Sequence, residues 1–231
     1  MITISQYLSD VQTYLDSFSS EIKSTLHVSL PAIVTKFNAQ RQTINCIPAI
    51  KELIYLNGSV SFKEFPELQE VPIEVPRAGN FAITLPITVG QECRVTFQDL
   101  CLDGWWSRGG IQSWNDLRRH DLSDAIATFS PWSQPNVISN YSTSNLEIRS
   151  LDNKTKISVG DEQIELIRES SKISINSSEI HLQVGSNGII INASGIELTT
   201  AGNLQIDEGV YLNHKHNGVT PGSSNTGGVS A

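Results

Sequence analysis

Between Leu146 and Leu212 the chain repeats pairs of aliphatic residues, two positions apart, at a fixed period, and this repeat limits the possible folds more than any other feature. Ile157/Val159, Ile173/Ile175 and Ile189/Ile191 are spaced by sixteen residues. Ile164/Leu166, Ile180/Leu182 and Ile196/Leu198 keep the same spacing, Leu212 continues that series, and the two series interleave at seven and nine. Residues i and i+2 project to the same face of a strand, so each pair marks one short strand with one apolar face. The Ser, Asn, Gly, Asp and Glu residues in between supply the corners.

A single pair per strand encloses too little core for such a chain to stand alone, so neighbouring units must stack into a continuous one. A single-chain β-helix with three faces uses roughly 18 to 25 residues per coil, whereas each strand-and-corner unit here takes about eight. Three chains wound into a triangular prism fit better, with Ile and Leu on the axis and polar residues facing water. An antiparallel β-sandwich is the competing arrangement, but it requires only alternation and not so strict a period. His181, flanked by the inward pair Ile180/Leu182, is expected to face outward as a solvated residue.

Upstream of the repeat the pattern differs. Ile4, Tyr7, Leu8, Val11, Tyr14, Leu15, Phe18, Ile22 and Leu26 fall three and four apart, which predicts an amphipathic helix over residues 1–26. The spacing suits either a coiled-coil seam between subunits or packing on the chain's own domain. From residue 27 to 136 apolar runs at Val28–Phe37, Thr43–Ile54, Val71–Val75, Phe81–Val89 and Cys93–Phe97, separated by Pro and Gly, predict a five-stranded barrel of OB type. All four tryptophans, Trp105, Trp106, Trp114 and Trp132, lie between Asp103 and Pro135, where a short helix is expected at Asp116–Ala127. They form either a local core under a long loop or an aromatic surface for docking another protein.

The formal net charge of −8 opposes binding to phosphate backbones, so no nucleic-acid partner is expected. A homotrimer would carry about −24, which favours solubility. No run approaches the roughly 20 apolar residues of a membrane span, and the first residues lack the features of a signal peptide, so synthesis in the cytoplasm is expected. Cys46, Cys93 and Cys101 are odd in number and lack CxxC spacing, which suggests neither a disulfide framework nor a zinc site.

The repeat is followed by His214-Lys215-His216-Asn217-Gly218-Val219, and residues 213–231 are rich in Gly, Ser, Asn and Thr. Histidines at i and i+2 on an extended segment project to one side and can ligate one ion. Alone the motif is weak, but it follows a segment that asks for threefold symmetry. Three chains bring six imidazole nitrogens, a closed set that suits a borderline ion such as Fe²⁺; structural zinc takes four ligands, and calcium or magnesium prefer oxygen. Such a site has no open position for substrate. It would tie three chain ends together, and small residues would let the apex taper.

These residues carry a family resemblance. The ending His214–Val219 with Asn225-Thr226-Gly227-Gly228 resembles the tip of the central baseplate spikes of contractile-tailed bacteriophages. Asp99-Leu100-Cys101-Leu102-Asp103-Gly104-Trp105-Trp106-Ser107-Arg108-Gly109-Gly110, with Arg118–Ala125, resembles the amino-terminal domain of one branch of them. The resemblance implies a mainly β chain: an N-terminal helix (1–26), an OB-fold-like domain (27–136), an intertwined trimeric β-helix shaft (137–212) and a pointed apex (213–231). It also implies one iron ion per trimer held by His214 and His216, a place in the virion beneath the tail tube against hub or tube proteins, puncture of a host outer membrane, and no enzymatic activity. Gly228-Val229 departs from the Gly-Pro frequent in related tips. The competing functions are a trimeric receptor-binding adhesin and a tail-associated cell-wall hydrolase. For the latter the only cluster is Asp99, Asp103, His120, Asp121 and Asp124, since Glu162, Glu165 and Glu169 lie in the narrow repeat.

Overall fold

The computed structural model describes residues 4–56, 59–130, 132–202, 205–206 and 209–210. The chain divides into two compact units, the first ending at Val137 and the second beginning at Ile138.

The first unit opens with α1 (Ile4–Thr25), whose residues 10–25 are all exposed. Strands β1 (Ser29–Asn38), β2 (Thr43–Pro48), β3 (Glu52–Leu56), β4 (Ser59–Lys63), β5 (Leu68–Pro72), β6 (Arg77–Ala78), β7 (Phe81–Ala82), β8 (Glu92–Phe97) and β9 (Ala125–Thr128) follow, with α2 (Asp103–Arg108) between the last two. Five of them form an antiparallel sheet in the order β5-β2-β1-β8-β9. Its two edges are joined by a parallel bridge between Ile73 and Ala127, where Glu74 N–H donates to the Ala127 carbonyl at 2.8 Å. The sheet therefore curls into an OB-like barrel, helped by register shifts at Val34/Lys36 and Ile44/Cys46, because an extra residue on one strand bends the ladder.

The core lies inside that curl. Alternate residues of the strands, Ala32 and Val34, Ile44 and Cys46, Cys93, Val95 and Phe97, Ala125 and Ala127, are buried together with Leu68 and Val71. Their small size at Ala32, Ala125 and Ala127 lets the sheet close tightly. Cys46 and Cys93 lie on either side of β1, opposite Val34 and Ala32. All three cysteines are free and buried, and the hydrogen bond to Cys93 together with burial pushes the Cys46 thiol upward.

Three local expectations change. The run Thr43–Ile54 is two strands, not one, because Pro48 ends β2 and Ala49 N–H turns back to the Pro31 carbonyl at 2.8 Å. Of Phe81–Val89 only Phe81–Ala82 is paired, in a hairpin with β6, and Phe81, Ile83, Leu85 and Val89 stay exposed. The helix expected at Asp116–Ala127 is absent. The helical turn is α2, and Ala125–Thr128 is a strand, because its alternate residues Ala125 and Ala127 point into the barrel.

The second unit is an antiparallel meander of β10 (Leu146–Arg149), β11 (Thr155–Val159), β12 (Gln163–Arg168), β13 (Ser171–Asn176), β14 (Glu179–Val184), β15 (Asn187–Asn192) and β16 (Gly195–Thr199), paired in sequence order. Short β17 (Gln205–Ile206) and β18 (Gly209–Val210) pair with each other. One period of the repeat is one hairpin: two strands and two turns. Asn153, Glu169 and Gly185, sixteen apart, all sit at positive φ (59°, 54° and 59°), the left-handed conformation that reverses the chain. At the other turn Asn176 and Asn192, also sixteen apart, accept a hydrogen bond from the N–H two residues on, Ser178 and Ser194, each at 2.8 Å.

Candidate functional site

Because the hairpins from β11 to β16 repeat at one length, the register carries each aliphatic pair beside the next, and a longer connection after Arg149 brings β10 into the same rows. Ile148, Ile157, Leu166, Ile173, Leu182, Ile189 and Leu198 are successive cross-strand partners. So are Leu146, Val159, Ile164, Ile175, Ile180, Ile191 and Ile196. The two rows share one face of the sheet, and all fourteen side chains are exposed, by 37% at Ile173 and Leu182 and up to 71% at Ile196. A groove of about 980 Å³ runs beside the first row, floored by Ile157, Leu166, Ile173, Leu182, Ile189 and Leu198. Monomeric proteins rarely expose more than a few hundred Å² of contiguous apolar surface, so this face belongs against something.

The opposite face is polar and better covered. Glu147, Ser158, Glu165, Ser174, His181, Ile190 and Glu197 form its central row. Lys156 and Arg149 pair with Glu147 at 3.2 and 3.3 Å, and Lys172 with Glu165 at 2.5 Å, so the long cations lie across the row and bury Ser158, Glu165 and Ser174. His181 faces this side, as its position between Ile180 and Leu182 requires. It is half-buried, with Nε2 only 3.1 Å from where a side chain on Gly188 would begin.

In the first unit the Trp-rich segment is held by one arginine. Arg118 Nε donates to Asp124 Oδ2 at 2.9 Å, and its Nη2 reaches Asp124 Oδ1, Asp103 Oδ2 and Cys101 Sγ at 3.2, 3.0 and 3.0 Å. Asp124 is buried and also accepts from Leu102 N–H at 2.9 Å. Bonds to Asp124 and Asp103 push the guanidinium even further into its charged form. Cys101, Asp103 and Asp124 stand close enough to share a metal ion, but the guanidinium already fills that place as the cation.

This clasp fixes both ends of the loop that carries α2. Trp105, Trp106 and Trp114 are 48%, 39% and 49% exposed, and Trp105 and Trp106 have ring centroids 6.4 Å apart. Trp132 is half-buried. Three of the four tryptophans thus stand outside the barrel core, and Ile111 and Leu117 of the same segment are exposed as well.

The acidic cluster considered for hydrolysis is engaged in holding the loops. Asp99 pairs with Arg119 at 2.9 Å, and Asp121 accepts from Ser123 N–H and Oγ at 2.9 and 2.5 Å, bonds that lower its pKa. Asp103 and Asp124 belong to Arg118. His120 is held at φ 49° with its N–H on the Gln98 carbonyl. The sequence reading missed Glu92, which accepts from Ser133 N–H and Oγ and from Asn136 Nδ2 at 2.7, 2.6 and 2.9 Å. Its partners lie 41 and 44 residues away, beyond any local signal. His214 and His216 lie outside the described residues.

The first unit is thus an OB-like barrel and the second a strict hairpin repeat with an exposed apolar face. Residues 30–130 match the family model described as the phage protein Gp138 N-terminal domain, and residues 210–228 match the GpV apex motif. The chain is a phage baseplate spike protein. No curated protein matches it. Among solved structures, a chain of "Structure of PdpA-VgrG Complex, Lidless" aligns at 13% identity over 85% of this chain and 97% of that one, with a TM-score of 0.27.

Proposed function

We propose that three copies of the chain assemble into a non-enzymatic membrane-piercing spike at the centre of the baseplate, carried into the outer membrane of the host when the tail contracts. The observation that carries this reading is the double row of fourteen exposed aliphatic residues. Burying it would remove roughly 1,000 Å² of apolar surface per chain, a gross gain of about 25 kcal/mol and more than the about 800 Å² per partner of a standard interface. Two further copies of the same sheet are the occupants of matching length and chemistry. Their three apolar faces would close on one axis and leave the Lys–Glu-laced faces in water.

The match to the apex motif over residues 210–228 supports a closed tip. His214 and His216 of each chain supply six neutral imidazoles, a donor set that suits an iron(II) ion. Bound there, the ion would cross-link the three chain ends and resist splaying. Hydrogen bonding along the sheet would transmit axial force, and the exposed tryptophans would dock on hub or tail tube proteins.

The test uses virions assembled with His214→Ala/His216→Ala protein. Normal attachment with reduced delivery of DNA is expected. Loss of attachment, or host-cell binding by the purified protein that survives removal of residues 1–135, would favour the adhesin. Turnover of cell-wall polymer by the purified protein would overturn the non-enzymatic reading.

A further inference from the structure

The exposed helix α1 has an order of its own. Read from Ile4, the apolar positions Ile4, Leu8, Val11, Leu15, Phe18 and Ile22 follow steps of 4-3-4-3-4, the spacing of a heptad seam in which Leu8, Leu15 and Ile22 occupy a and Ile4, Val11 and Phe18 occupy d. Val11, Leu15, Phe18 and Ile22 are between 38% and 52% exposed. Of the four charged residues, Asp16 and Lys23 fall at b and Asp10 at c, away from the seam, and only Glu21 flanks it at g.

This helix has little reason to stand alone. It contains six serines, two threonines and no alanine. That composition has low intrinsic helix propensity, and most helical stability in proteins comes from burying an apolar face, not from propensity. Residues 10–25 stay exposed, so the barrel does not cover the stripe. Tyr14 stacks on Phe18 with ring centroids 6.5 Å apart, which covers only part of it.

We infer that α1 forms a parallel three-stranded coiled coil with the same segment of two further copies of the chain; this rests on the trimeric reading of the repeat. Three observations select that occupant. A 4-3 seam is complementary to a copy of itself. Leu at a with mainly β-branched residues at d favours more than two strands. The sheet of the same chain asks for three. The chains would therefore be clamped through their first 25 residues as well as through the repeat, and the coiled coil would set them side by side in parallel register.

The test is amide hydrogen exchange across residues 10–25 of the full-length protein, read with the mass in solution. Exchange in this segment slowed by at least about a hundredfold over an unprotected helix, in a protein of trimeric mass, is the expected result. Leu15→Asp at a is expected to abolish that protection while the mass stays trimeric, and Ser20→Asp at the outward f position to leave it intact. Fast exchange of the segment in a wild-type trimer, or protection unaffected by Leu15→Asp, would overturn the coiled coil and leave the trimeric repeat standing. A wild-type monomer would overturn both.

Discussion

Replacing Leu182 by Ala tests the apolar face at its middle. Leu182 lies in the central strand region of the first row, between Ile173 and Ile189, and is 37% exposed in the single chain, so the chain alone covers it only in part. In a packed core Leu→Ala costs about 2–5 kcal/mol through lost transfer energy and residual cavity. Threefold symmetry places three copies in one layer, so the assembled spike would lose about 6–15 kcal/mol if the copies act independently. In a lone chain the same change removes only partly buried surface and costs about 1 kcal/mol. Glu197→Ala, on the opposite face and exposed, is the control and should cost under about 0.5 kcal/mol. Denaturant unfolding at several protein concentrations separates the cases. A large, concentration-dependent loss for Leu182→Ala alone is expected. Equal small losses for both variants, independent of concentration, would refute the idea that this face is an interface.

Arg118→Ala should destabilise the first unit by about 3–5 kcal/mol in denaturant unfolding, because it strands the buried Asp124 carboxylate without its cation. At Gly185, φ is 59° and open space surrounds the missing side chain, so Gly185→Ala should cost about 1 kcal/mol by conformation alone, whereas Glu169→Gly at the equivalent turn should stabilise by a similar amount. Hydrogen bonds from Ser133, then Asn136, hold the Glu92 carboxyl below the usual range. A lowered folded value means that its clasp is present above the ordinary carboxylate pKa of about 4.3 and is lost as pH falls through the folded value. Amide protection of Ser133 and Asn136 should therefore drop in strong acid, and Glu92→Gln should weaken it at neutral pH.

The second unit was legible in the sequence because its information is local and periodic. Pairs such as Ile173/Ile175 give the strands, and a fixed period of sixteen forces each pair beside the next, so even the register follows. The common turn chemistry of Asn176 and Asn192 carries the same period. The barrel was legible in outline and failed where tertiary contacts decide. Ala125-Ile126-Ala127 reads as helix by composition and becomes a strand because the barrel needs small side chains at that edge. Arg118 draws together Cys101, Asp103 and Asp124 from separate turns, a convergence no spacing rule contains. The tryptophans were found as a cluster, but the helix that carries Trp105 and Trp106 forms at Asp103–Arg108, upstream of the expected one. The histidine pair was read from its motif and its place after the repeat.

In the proposed spike three chains close around one axis and one ion. Light scattering with elemental analysis on the same purified sample tests it most directly. The expected particle has a mass of about 76 kDa, three times the 25.4 kDa of one chain, with one iron that is lost in His214→Ala/His216→Ala while the mass is kept. A metal-free species of 25.4 kDa would contradict it.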